Sequence, residues 1–151
     1  MALSSALCTS FKVELLEGDH DFNNGADAFK VALFKANASI TGTYDASTTN
    51  YSNVTGNSDE LPNGSGYTTG GYALTNVNPT STGTTAFTDF SANAAWSSAT
   101  FTTRGCMIYN TSDGNSAVAV INFGADYSVS GGTFEIQWPA ADSTNAIIRI
   151  A

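Results

Sequence analysis

The chain has 151 residues, 12% of them charged, with 5 basic against 13 acidic side chains and a net charge of −8. That is enough for one domain with its own core. The acidic balance opposes binding to nucleic-acid phosphates and to an anionic leaflet, and no stretch offers the ~20 apolar residues of a membrane span.

Residues 1–9 read as a short N-terminal arm. Met1–Phe11 has no basic start, and Ser4 and Ser5 break its apolar run, so it does not resemble an export signal. Folding in a cytoplasm is the expectation, and with it free, buried thiols at Cys8 and Cys106. Residues 9–18 carry the one helix signal. Thr9 or Ser10 is placed to cap, and Gly18 is placed to supply the left-handed stop. Phe11 and Leu15 fall at helical spacing, although Phe11, Val13 and Leu15 also alternate as a strand would.

Asp19, Asp21 and Asn23 match the first half of a calcium loop, but Asn24 stands where its glycine belongs and Lys30 where its bidentate glutamate belongs. The segment therefore reads as a polar turn with no metal. His20, the only histidine, reads as a solvated side chain with no partner for a metal or triad site.

Ala28–Lys35 alternates, with Phe29, Val31 and Leu33 on one face, and predicts a strand. Residues 36–66 form a long polar loop region, with a short strand expected around Ile40–Tyr44. Loops of this length are often functional. Gly66–Val77 returns to β structure, with a bulge or bend expected at Gly70-Gly71. Strands are then predicted at Ala86–Phe90, Ala99–Thr103, Cys106–Tyr109, Ala117–Phe123, Thr133–Trp138 and Ala146–Ile150. Asp113-Gly114 marks a hairpin tip, and Gly131-Gly132 a further turn. Trp96 is expected to anchor the core. Ala117–Phe123 is almost wholly apolar, as a central strand covered on both faces would be.

This pattern predicts an all-β domain over residues 1–151: an antiparallel β-sandwich or jelly-roll-like barrel with one short N-terminal helix. No nucleophile–base pair, phosphate loop or dinucleotide loop is present. Asp113, Asp126 and Asp142 are the carboxylates that a sandwich end could gather for glycoside chemistry, but turn hydrogen bonding accounts for them equally well. The expectation is a non-enzyme without a cofactor. Tyr44, Tyr51, Tyr67 and Tyr72 are candidates for stacking on a sugar.

Four motifs carry a resemblance: Gly66–Leu74 (GYTTGGYAL), Thr102–Asn110 (TTRGCMIYN), Ala117–Gly124 (AVAVINFG) and Asp142–Ala151 (DSTNAIIRIA). With Ser10–Gly18 and Phe29–Phe34, they make the chain similar to a family of short β-rich proteins encoded by tailed bacteriophages and prophages. The resemblance covers most of the chain and is weakest over residues 36–66. It implies a virion structural protein assembled in the host cytoplasm, and it supplies no catalytic residues. Within a virion the expected role is a capsid decoration or cement protein. It would bind the major capsid protein or other virion proteins, as a homo-oligomer (dimer or trimer), with residues 1–9 and 36–66 as bridging arms. The alternative is a tail fibre or tail-tip module that binds a host carbohydrate through the four tyrosines.

Overall fold

A computed structural model describes residues 2–151. The fold is mostly β, with 45% of residues in strands, few helices and largely antiparallel sheets, and it is not a closed barrel. The jelly-roll-like barrel is thereby corrected: the main sheet has two free edges.

The chain opens with β1 (Ala2–Leu3) and β2 (Ala6–Leu7), then α1 (Thr9–Glu17), β3 (Phe29–Leu33), β4 (Thr43–Tyr44), α2 (Ser52–Gly56) and β5 (Tyr72–Ala73). It closes with β6 (Thr80–Thr82), β7 (Thr85–Thr88), β8 (Ala94–Asn110), β9 (Ser116–Ile136) and β10 (Ile148–Ile150). The main sheet runs β2-β9-β8-β3-β5, a smaller sheet runs β10-β7-β6, and β1 pairs in parallel with β4.

Two strands dominate. β8 and β9 are 17 and 21 residues long and form one hairpin through the Asp113-Gly114 turn. The runs expected as separate strands at Ala99–Thr103, Cys106–Tyr109 and Ala117–Phe123 are absorbed into this pair, as is Thr133–Trp138 up to Ile136, where β9 ends. Register shifts at Trp96/Ala99, Ala99/Thr100, Thr103/Gly105 and Ile108/Tyr109 let the strands bend without ending. Gly131-Gly132 is therefore not a turn between strands, since β9 runs through it.

The core centres where β2, β9, β8 and β3 overlap. Cys106, Met107, Ile108, Val118 and Val120 are buried there, and Val31 and Leu33 of β3 pack beside them. Ala117–Val120 is covered as an all-apolar segment requires. Trp96 is buried, in contact with Tyr67, Tyr72 and Phe134.

α1 ends as its sequence dictates, with Gly18 left-handed at φ 88° and its N–H on the Glu14 carbonyl. Its start differs from expectation: Cys8 occupies the cap, and no side chain caps the helix. The cap is fixed by tertiary bonds, Cys8 N to the Val118 carbonyl at 3.0 Å and Thr9 N to the Ala46 carbonyl at 2.7 Å. Phe11 is the one buried residue of α1. Both cysteines are free and buried.

Residues 2–7 are docked rather than extended as an arm. β1 lies on β4 and β2 lies on β9, while Asn122 donates to the Leu3 carbonyl at 2.7 Å. Leu3 is buried, and burying it draws the segment onto the sheet.

Candidate functional site

Two adjacent acids tie the 36–66 region to the domain. Asp59 and Glu60 are both buried. Asp59 accepts hydrogen bonds from Tyr44 Oη at 2.6 Å, Gly42 N at 2.8 Å and Thr41 N at 2.9 Å. Burial alone would raise its carboxyl, but the donors outweigh burial and hold it below the usual carboxylate range. Glu60 accepts from Tyr67 Oη and Gly70 N, both at 2.7 Å, and from Tyr51 Oη. Tyr67 Oη in turn accepts Leu33 N from β3 at 3.0 Å. Tyr51 stacks on Tyr109 at 4.3 Å and 3°. Burial and then the Glu60 charge push the phenols of Tyr67 and Tyr109 up, the latter to about 12.

This arrangement corrects the sugar-stacking reading at two positions. Tyr44 and Tyr67 are buried, with their hydroxyls committed to Asp59 and Glu60, so neither ring offers a free face. Tyr51 and Tyr72 are half-buried: Tyr51 has one face on Tyr109, and Tyr72 stands edge-on to Trp96. The structure does not gather the four into one platform.

A second cluster surrounds His20, which is buried among Phe11, Phe22 and Phe29 rather than solvated. Its Nε2 lies 2.9 Å from Glu14 Oε2, and its Nδ1 lies 2.9 Å from Asn110 Nδ2. Asn110 cannot be turned around, because its Oδ1 accepts from Ser112 N and Asp113 N and its Nδ2 also donates to Asp27. Nδ1 must therefore accept, and Nε2 carries the proton to Glu14. Ligand atoms of Glu14, His20 and Asp113 lie within 4.8 Å of one another. Both ring nitrogens are engaged, so Glu14, His20 and Asn110 form a hydrogen-bonded chain that joins α1 to the β8–β9 turn, with the Asp113 carboxylate close beside it.

The calcium-like residues are likewise used locally. Asp21 Oδ1 accepts from Asn23 N and Nδ2. The three aspartates considered for catalysis sit in separate local networks. Asp113 is beside Glu14 and His20. Asp126 accepts from Asn37 N and faces Arg104 at 3.9 Å. Asp142 accepts from the Asn145 side-chain amide and then from Thr144 N and Asn145 N within its own turn, which lowers its carboxyl.

Two openings remain among the described residues: a polar one of about 520 Å³ over residues 43–57, lined by Thr43, Ser47, Thr49 and Asn53, and an apolar groove of about 580 Å³ between the far half of β9 and the segment leading to β10. Ile121, Phe123, Phe134 and Ile136 line one wall, with Trp138 and Ile147 on the other. Phe134 and Ile136 alternate with Glu135 and Gln137, and the register shift that leaves Gly131 unpaired reverses the parity, so they share a face with the odd-numbered Ile121 and Phe123. Trp138 is fixed by its Nε1 bond to the Ala92 carbonyl at 3.0 Å and by its contact with Phe90 at 5.4 Å. The one charged residue at the groove is Glu135, whose Oε1 accepts from Asn93 at 3.1 Å and from Gln137 at 2.9 Å. Among the described residues no strand pairs with the outer edge of β9 beyond Val120, because β2 covers only Ala119 and Val120. Sequence reasoning identified Phe134, Ile136 and Trp138 as a shared face but assigned that face to the core. The apolar C-terminal residues were the available signal that a second wall stood opposite.

No family model matches the chain, and no curated protein or solved structure is detectably similar to it.

Proposed function

We propose that this chain is a non-enzymatic structural protein of a tailed-phage virion, a decoration or cement protein of the capsid exterior that stabilises contacts between capsomers. The observation that carries the reading is the contrast between its surfaces. The acidic and histidine clusters are consumed by internal hydrogen bonds. Of the two openings, the polar one over residues 43–57 holds no charged side chain, and the other is an apolar groove beside an unpaired strand edge. That is equipment for binding a protein surface, by strand addition and apolar contact, rather than for turnover. The motif resemblance supplies the virion context, with the major capsid protein as partner.

The sheets fit the two leaves of an open sandwich in this reading. Phe90, next to β7, meets Phe29 of β3 at 6.1 Å and Trp138 at 5.4 Å, bridging the smaller sheet to the larger. The bridging role passes from the docked N-terminus to the β9 edge.

The test is imaging of the intact particle at a resolution that traces the chain. Density repeated over the shell lattice, with the β9 edge against a neighbouring protein, is the expected result. Density confined to the tail would overturn the capsid reading in favour of the receptor-binding alternative. Absence from the particle would overturn the virion reading.

A further inference from the structure

We infer that the exposed face of α1 docks into the apolar groove of a second copy of this chain, head to tail, with Lys12 of one copy paired to Glu135 of the next.

The described residues leave four large apolar side chains strongly exposed: Val13 (51%), Leu16 (89%), Tyr127 (51%) and Ile150 (58%). Two of the four are on α1, and Tyr127 stands at the rim of the groove. Lys12 and Leu16 are one helical turn apart, and Val13 lies beside them, so the three share one face. Leu16 is the most exposed of the four and leaves the most apolar surface to bury.

Opposite charges stand at the edges of the two patches. Lys12 is exposed and makes no ion pair among the described residues. The groove is apolar apart from Gln137, Asn145 and one carboxylate, Glu135, which is exposed. A cation at the edge of an apolar knob therefore meets an anion at the edge of an apolar hole.

The two patches are separate surfaces of one copy: α1 is fixed along the start of β9, and the groove opens along its far half. α1 runs from Val118 toward the Asn110–Ser116 turn, where Glu14 and Asp113 have oxygens within 4.8 Å of each other. The groove begins at Ile121 and runs the other way along β9. A contact between two different patches is heterologous and builds a ring, or a filament if the rotation does not close.

This deepens the oligomeric part of the proposed function, and it is tested on the purified chain without any particle. Sedimentation velocity across a concentration series should show association of the wild-type chain. Leu16→Asp, Lys12→Glu and Glu135→Lys should each weaken it by about tenfold or more. The charge-swapped double variant, K12E with E135K, should recover association to within about threefold of wild type. All three sites are exposed, so melting temperatures near wild type are expected and separate lost contact from lost fold. A wild-type chain that stays monomeric, a Leu16→Asp variant that associates normally, or a swap that fails to rescue would overturn the interface. A chain that associates as described yet is missing from the particle would overturn the virion reading alone.

Discussion

Asp59 and Glu60 are neighbours in sequence but serve different parts of the fold. Asp59 gathers Thr41, Gly42 and Tyr44, and Glu60 gathers Tyr51, Tyr67 and Gly70. Between them they fasten residues 36–66, which sequence alone presents as a free loop, to β3 through the bond from Leu33 N to Tyr67 Oη. Tyr67→Phe strips a partner from Glu60 and from Leu33 N, and should cost roughly 1–3 kcal/mol in chemical denaturation. A loss within error of zero would show the network to be dispensable. Asp59 adds a pH signature. Its folded carboxyl lies below the ordinary value of 3.8, so its contribution to stability is full above that value and is lost as pH falls through the lower folded one. Asp59→Asn should therefore flatten the acid limb of the stability–pH curve. An unchanged acid limb in urea titrations would place the acid sensitivity elsewhere.

At the scale of elements, sequence pattern located most strands but not their continuity. Phe29–Leu33 was legible because three large apolar residues alternate, and α1 was legible because Gly18 stops it. The merger of four short runs into β8 and β9 was not, because glycines and serines that end strands in isolation also form bulges when a partner strand holds both sides. The groove was hidden for a related reason. Phe134, Ile136 and Trp138 alternate as core residues do, and only the three-dimensional path of residues 137–147 leaves them facing an opening. Gly70-Gly71 was legible as a bend, and the structure gives its cause. Gly71 sits at φ 78°, and a Cβ there would fall 1.9 Å from the Val31 carbonyl oxygen. Gly71→Ala should therefore break the β3–β5 pairing and cost more than about 2 kcal/mol, through the clash added to a left-handed backbone. Loss of amide protection at Tyr72 and Ala73 is the readout. A variant as stable as wild type would mean that the turn relaxes freely.

For the whole molecule, stability is concentrated where four strands overlap and thins along the far half of the long hairpin. Hydrogen exchange should be slowest at Cys106–Tyr109 and Val118–Val120 and fastest along Tyr127–Gly131, which is exposed and has β8 as its only neighbour. Uniform protection along β9 would contradict this gradient. The long hairpin also imposes an order in time. Its two strands find each other across a five-residue turn, whereas Ala6 pairs with Val120 and Lys30 with Tyr109. Contacts close in sequence form first, and distant ones wait for their loops to close. The hairpin spans Ala94–Ile136, so the segments made first emerge from the ribosome before the strands they pair with exist. Nascent chains halted before Ser116 should stay protease-sensitive, and resistance should appear only after β9 has been synthesised. The first hundred residues must pass that interval with Phe11, Phe22 and Phe29 unshielded, which makes synthesis itself the stage at which this protein most depends on a chaperone.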